Sequence, residues 1–334
     1  MLVKRFCRLL LLPVVLVLGG CNLVLLNPDG YVARQQSDIM IGTTIIIALI
    51  IVPVMVAIAI IAWRYRASNT RAKYDDKWDH SPQLELLVWA APLLVIIAVG
   101  AVSWTGTHQL DPYRPLDKVA DNKPVPANTK PLEVDVVSLQ WKWLFFYPAY
   151  GIATVNELAA PVNVPIHFKL TSDTMMDSFF VPTLAGQVYT MPGMQTVLHG
   201  VINKPGEYKG FSANYSGAGF TDMRFTFHGM DRKDFTSWVE KVRAKGQTLD
   251  RASYDKLKQP TRAEPVHYYA HFSPDLYERI LNRCVDPGQM CMDQMMTMTT
   301  DAAHSHAMKS MDSMKSTGSM KSMDSMPAHD AAMH

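Results

Sequence analysis

The chain has no cysteine between Cys21 and Cys284, and its four cysteines (Cys7, Cys21, Cys284 and Cys291) form no Cys-x-x-Cys pair. That excludes a close zinc-type pair and any copper–thiolate centre in the middle of the chain. An excess of one charge is lacking too. With 32 Lys and Arg against 30 Asp and Glu, the formal net charge is +2, and no electrostatic footprint points to nucleic acid. The mean hydropathy of +0.00 hides a division. The first third is strongly apolar, the middle is ordinary, and the end is polar and biased in composition. The 334 residues suffice for one or two domains plus membrane segments.

What is present begins with a compartment signal. Lys4, Arg5 and Arg8 give a positive start, and Leu9 to Leu18 form an apolar core interrupted only by Pro13. This core is too short to span a bilayer but has the length of a secretory segment. Leu18-Gly19-Gly20-Cys21 follows, and small residues ahead of a cysteine resemble a bacterial lipobox. On that reading residues 1–20 are a lipoprotein signal peptide. Cys21 then carries the lipid, and residues 21–38 form an anchored segment outside the inner membrane. The other reading is an ordinary signal peptide with a chance cysteine.

Residues 39–63 and 84–104 are apolar runs, each long enough to cross a hydrocarbon core of about 30 Å. Pro53 and Pro92 lie inside them, which lipid tolerates because neighbouring helices satisfy the freed carbonyls. Trp63, Tyr65, Trp89 and Trp104 lie near or within their ends, and several suit an interfacial belt. The intervening loop, 64–83, carries Arg64, Arg66, Arg71, Lys73 and Lys77, which places it in the cytoplasm and both flanks outside. That agrees with a lipid on Cys21, a conclusion drawn from different residues. Two buried helices of a soluble enzyme are the alternative, and these lengths argue against it. Neither run contains a histidine, so the spans offer no haem-ligand set. Glu85 is the one acidic residue inside a span. Ionisable groups there are costly and point to function, yet a carboxylate in a first helical turn is also favoured by the macrodipole. The residues alone leave both roles open.

Residues 105–130 are rich in Pro and polar residues and read as a linker. After them the pattern takes period two. Leu132, Val134 and Val136 alternate with Glu133 and Asp135, and Ile166, Phe168 and Leu170 with His167 and Lys169. Asn203-Lys204-Pro205-Gly206 is a turn signal, and Glu207 to Ala213 and Met223 to Phe227 read as further strands. Many short strands between Pro and Gly turns predict an antiparallel sandwich or barrel over 131–230. From Asp231 the period becomes helical, with Phe235, Trp238, Val239 and Val242 on one face. Shorter helices are expected near 249–258 and 273–283. Tyr268, Tyr269, Phe272 and Tyr277 supply an aromatic packing cluster to this helical segment, 231–283.

A lipobox, two spans around a basic loop and an outer β-domain, in that order, resemble subunit II of the bacterial haem-copper oxidases. Gln140-Trp141-Lys142-Trp143 with Tyr147-Pro148 resembles that subunit's aromatic segment, and Asp177-Ser178-Phe179-Phe180-Val181-Pro182 its first copper-ligand strand. Met191-Pro192-Gly193 resembles its turn, and Tyr208-Lys209-Gly210 through Met223 its copper loop. The resemblance runs from about residue 20 to residue 283. It implies a two-helix transmembrane hairpin, then a cupredoxin-like antiparallel β-sandwich, then a short C-terminal helical segment.

The departure from that pattern is informative. In relatives that oxidise cytochrome c, the domain holds two coppers on two Cys thiolates, two His, a Met and a backbone carbonyl. The resemblance puts Asp177 at the first His position, Ser212 and Ser216 at the bridging Cys positions, Asn214 at the carbonyl position and Phe220 at the second His. Met223 alone is retained, and a lone thioether is a weak ligand. No metal is therefore expected in this chain, and Asn214 argues against the magnesium site of relatives. The implied branch oxidises ubiquinol, which reduces a haem in subunit I directly. This chain then carries no catalytic centre. Haems and oxygen-reducing copper fall to subunit I, and further small membrane subunits join the complex. Trp141 aligns with the electron-entry residue of the cytochrome c enzymes, and with no copper to feed, a structural role is expected of it. Glu85, by its place in Leu84-Glu85-Leu86-Leu87-Val88-Trp89, aligns with a carboxylate at the mouth of a proton channel. Two competitors remain: a cytochrome c oxidase subunit with its own copper, and a membrane-anchored copper-handling lipoprotein.

The tail, 284–334, is different again. Residues 290–334 hold 12 of the 21 Met and 4 of the 11 His among repeated Lys-Ser-Met and Asp-Ser-Met units. Such a stretch cannot bury enough apolar surface to order itself. Capture of copper(I) by thioethers and a dispensable extension are both open. Cys284 and Cys291, with six residues between them, can close a local disulfide in an oxidising compartment.

Overall fold

The computed structural model describes residues 23–73, 76–127 and 129–299; Cys21 and the tail from residue 300 lie outside the described residues. The chain divides into two units, 1–281 and 282–334.

Two long helices come first, α1 (Tyr31–Arg64) and α2 (Pro82–Gln109). Pro82 opens α2 at a position where its missing N–H costs no hydrogen bond. Both helices outrun the apolar stretches expected at 39–63 and 84–104. Apolarity marks the part facing hydrocarbon, whereas a helix continues as long as its backbone bonds are made. No residue of the most apolar 18-residue window of either helix is buried, which is the reverse of a soluble core helix. The helices meet closely at Gly106, where a Cβ would lie 2.8 Å from Ile39 Cδ1.

The strands in chain order are β1 (Lys118–Ala120), β2 (Lys123–Pro124), β3 (Leu132–Leu139), β4 (Lys142–Tyr147), β5 (Ile152–Val155), β6 (Glu157–Pro161) and β7 (Ile166–Ser172). They continue with β8 (Asp177–Phe180), β9 (Val188–Thr190), β10 (Thr196–Gly200), β11 (Gly206–Ser212) and β12 (Arg224–Met230). Then α3 (Arg232–Lys245), β13 (Gln247–Leu249), α4 (Arg251–Leu257), β14 (His267–Phe272) and α5 (Leu276–Leu281) alternate. One sheet runs β10-β7-β3-β4-β5-β14-β13 and the other β6-β12-β11-β8-β9. Their inner faces meet through aromatic rings. Trp143 lies edge-on to Phe179 at 5.3 Å between centroids, and Phe179 stacks on Phe225 at 5.4 Å.

Among the described residues three pairings are parallel, β3 with β7, β12 with β6 and β13 with β14, so the sandwich is mixed rather than wholly antiparallel. Alternating hydrophobicity reports burial of one face and is silent on strand direction. The stretch expected as a bare linker holds the β1–β2 hairpin. The segment expected to be helical contributes β13 and β14 to the edge of the large sheet. A short aromatic run is ambiguous between helix and strand, and here the open edge of β5 accepts Tyr268 and Tyr269. As a result β4 is buried on both faces. Trp143, Phe145 and Tyr147 join the inter-sheet core, while Phe146 packs edge-on to Phe272 and Tyr277.

The hairpin is tied to the sandwich by backbone bonds just ahead of α1. Gly30 N–H donates to Thr183 O at 2.7 Å, Tyr31 N–H to Val201 O at 3.3 Å and Asn203 N–H to Asp29 O at 3.0 Å. Lys204 Nζ pairs with Asp29 at 2.6 Å, and Tyr208 OH donates to the same carboxylate at 3.2 Å. In the second unit, Cys284 and Cys291 form a disulfide with a Cα separation of 4.8 Å.

Candidate functional site

The residues singled out in the sequence fall in two places. Asp177 opens β8, Ser212 ends β11, and Asn214, Ser216, Phe220 and Met223 lie on the connection to β12. Glu85 lies in the first turn of α2.

The first group is a small hydrogen-bonded cluster. Ser212 Oγ–H is placed to donate to Asp177 Oδ1 at 3.3 Å and to Asn214 O at 3.2 Å, and Ser178 N–H donates to Ser212 Oγ at 3.4 Å. Asn214 Nδ2 donates to Met176 O at 3.1 Å. Asp177 is 1% exposed, and its Oδ2 and the Ser216 hydroxyl are buried without an aligned hydrogen bond. Burial pushes the Asp177 carboxyl above its ordinary range, and the hydroxyls of Ser216, Ser138 and Ser212 pull it only part of the way back. Met223 is fully buried in the hydrophobic core, and Phe220 turns its ring edge to exposed Tyr215 at 5.7 Å.

Trp141 closes this cluster from the β3–β4 turn. Its φ of 65° lies in the left-handed region, which is uncommon for a bulky residue and costs about 1 kcal/mol. The indole N–H donates to Ser216 O at 2.8 Å. The ring lies over Gly219, where a Cβ would stand 2.2 Å from Trp141 Cδ2, so only glycine admits it.

Hydroxyls, one amide, one carboxyl and a core-buried thioether are not the donors of a thiolate copper centre. Among the described residues no three His, Cys, Asp or Glu stand together as a metal site. The copper that the relatives' loop would hold does not fit these residues.

Sequence reasoning missed two participants. Ser138 and Thr190 surround Asp177, their hydroxyl oxygens 2.9 Å apart, with Thr190 Oγ1 donating to Asp177 O at 3.3 Å. Lys142 is 1% exposed, and its ammonium donates to Leu257 O at 2.8 Å and Gln259 O at 2.9 Å, with Glu264 Oε2 at 3.6 Å. Burial lowers the Lys142 pKa and Glu264 opposes that shift. The signal for Lys142 was present in the sequence: a lysine between two tryptophans that start a core strand.

At the second place His80 Nδ1 lies 2.6 Å from Glu85 Oε1, and both side chains are more than half exposed.

Two long apolar helices followed by a two-sheet sandwich define a membrane-anchored subunit with a β-sandwich domain. The COX Aromatic Rich Motif family matches residues 243–288. Cytochrome bo(3) ubiquinol oxidase subunit 2 of Pseudomonas putida is 45% identical over 84% of this chain and 87% of its own length. Ubiquinol oxidase subunit 2 of Acetobacter aceti is 44% identical over 84% and 89%. Quinol oxidase subunit 2 of Bacillus cereus is 34% identical over 84% and 94%. The periplasmic domain of cytochrome oxidase subunit II of Bradyrhizobium japonicum superposes at a TM-score of 0.33, with 23% identity over 34% of this chain and 94% of that one. The chain belongs to the ubiquinol oxidase subunit 2 family. These relatives do not favour the stand-alone copper-handling lipoprotein.

Proposed function

We propose that this chain is the non-haem subunit of a respiratory complex that oxidises ubiquinol, reduces oxygen to water and pumps protons. One observation carries the choice of electron donor: no cysteine lies between 22 and 283, so the outer domain cannot pass electrons from cytochrome c through a thiolate-bridged copper pair. Haems and copper are assigned to subunit I, which the two apolar helices hold and the sandwich caps on the periplasmic side. The basic loop supports that orientation. Lipidation at Cys21 would add a second anchor.

This chain's own chemistry is then positional, with one exception. Glu85 and His80, paired and open to water at the cytoplasmic end of α2, are suited to collect protons at Glu85 Oε1 for delivery into the complex. The arrangement is exposed rather than desolvated, which suits exchange with bulk water.

The test is purification in mild detergent through a tag on this chain, with a haem spectrum and parallel assays of ubiquinol and reduced cytochrome c as donors. Rapid quinol oxidation, haem bands and no cytochrome c activity are expected. A haem-free protein active with neither donor overturns the assignment. In the same complex Glu85→Gln is expected to slow oxygen consumption about a hundredfold, the lower end of what a positioned proton-transfer group supplies. Unchanged turnover would assign Glu85 to helix capping alone.

A further inference from the structure

A cavity of about 400 Å³ lies where the two helices meet the sandwich. It is lined by α1 at Gln36, by the chain leaving α2 from Gln109 to Lys118, and by the sandwich at Gln187 and His199. Its depth relative to a bilayer follows from the sequence. Gln36 precedes Ile39, where the first apolar run begins, and Gln109 follows Trp104, where the second ends. At about 1.5 Å per helical residue these side chains stand roughly 5–8 Å beyond the hydrocarbon edge. Head groups occupy that layer, since a core of about 30 Å is flanked by polar regions that bring the total to about 40–45 Å.

The lip of the cavity carries both signs of charge, Asp111, Arg114, Asp117 and Lys118. Arg114 Nη2 donates to Asp117 Oδ2 at 2.7 Å, but both side chains are more than half exposed, and such a pair contributes little net stability. A ligand offering the same charges can take its place. The loop bearing these groups is held in position. His199 N–H and His199 Nδ1 both lie 3.2 Å from Pro112 O. A carbonyl only accepts, so Nδ1 carries the proton and Nε2 is left as an acceptor. Burial and the stacked ring of His167, 4.7 Å away, hold the pKa of His199 down to about 4, so the ring adds no charge. Two cations and two anions around uncharged amides give no net field for a simple anion.

We propose that this cavity binds the head group of a zwitterionic phospholipid, its phosphodiester against Arg114 and Lys118 and its ammonium against Asp111 and Asp117. The site rests on the membrane-anchored topology proposed above. The same chemistry could come from a lipid or from free phosphate in solution, and the test separates them.

The tagged oxidase complex, stripped of lipid in detergent, is titrated with dihexanoyl phosphatidylethanolamine, dihexanoyl phosphatidylglycerol or inorganic phosphate. Amide exchange is followed at residues 31–36 and 109–118. Phosphatidylethanolamine at ten times its Kd is expected to slow exchange there about tenfold. It is expected to do so in the wild type and not in the Arg114→Gln/Lys118→Gln double variant, whose substituted side chains are exposed and leave folding intact. Equal protection by phosphatidylglycerol, or by phosphate alone, overturns the assignment in favour of a general anion site. No protection by any probe overturns it outright. Carbonate washing of membranes distinguishes the two layers of the claim. Release of the chain means that the topology itself has failed, whereas a chain retained but indifferent to lipid means that only the cavity reading has.

Discussion

The sandwich buries a carboxyl at Asp177 and an ammonium at Lys142, and their surroundings are unlike. Lys142 has two backbone carbonyls within 2.9 Å and a carboxylate at 3.6 Å. Asp177 has only hydroxyls around it, and one of its oxygens lacks an aligned bond. A buried charge survives where opposite charge and full hydrogen bonding replace water, and otherwise the group is driven towards its neutral form. Lys142 ties β4 to the end of α4 and the loop after it, which leads into β14, the aromatic strap paired to β5 near the edge of the large sheet. Asp177 is ringed by the hydroxyls of Ser216, Ser138 and Ser212, and among the described residues no Lys or Arg pairs with it.

The largest expected effect lies on the Lys142 side. Lys142→Met keeps the volume but leaves the Leu257 and Gln259 carbonyls without their donor, while Glu264 loses the ammonium and keeps Thr261 and His267. Removing one member of a buried pair costs about 3–5 kcal/mol, and the partial exposure of Glu264, 16% for its side chain, argues for the lower end. A lowered thermal midpoint and faster proteolysis within 257–264 are expected. If the variant melts with the wild type, the ammonium is not the joint, and the contrast with Asp177 collapses.

How much of this was legible in the sequence differs between the same two regions. The lack of thiolates in the loop could be read because it is a matter of residue identity: serine and phenylalanine cannot do the work of thiolate and imidazole wherever they are placed. The two spans could be read for a similar reason, since hydrocarbon imposes length and apolarity on each one separately. The strap could not. His267–Phe272 becomes a strand only because β5 offers an open edge more than 100 residues earlier in the chain, and no local pattern encodes that. Lys142 was visible as a residue, but its carbonyl partners belong to a segment expected to be helical. Thr190 and Ser138 were invisible for the same reason, as polar residues on strands whose neighbours depend on register.

The second prediction extends the unpaired side to Asp135 on β3. Burial lifts its carboxyl from the usual 3.8 to about 6, with Lys169 opposing and Glu133 and Glu278 adding to the rise. Its Oδ1 is buried without a hydrogen bond. A raised folded-state pKa means that the folded form holds the proton more tightly than the unfolded chain. The resulting stability is complete below about pH 4 and is lost as pH rises through 6. At neutral pH the loss reaches at most about 3 kcal/mol, from roughly two units at 1.36 kcal/mol each. Asp135→Asn should therefore raise the thermal midpoint at pH 7, and the gain should shrink steadily towards pH 4. A difference independent of pH would mean that Asp135 is ionised and satisfied in the folded protein, which would place it with Lys142 rather than with Asp177.

The smallest effect should come from Trp141, although the resemblance aligns it with the residue that receives electrons in the cytochrome c enzymes. Trp141→Phe removes the hydrogen bond to Ser216 O but keeps a ring over Gly219. A neutral bond of this kind contributes about 1 kcal/mol, so the thermal midpoint should fall by only a few degrees. Quinol turnover should stay within about twofold, because a structural ring enters the rate only through folding, and 1 kcal/mol leaves the folded population nearly complete. Loss of stability and loss of rate are thus expected to part company here. A tenfold fall in turnover with an unchanged melting profile would break the comparison from the other side. It would mean that an electron still crosses this turn, and that the loop has kept a task its donors do not display.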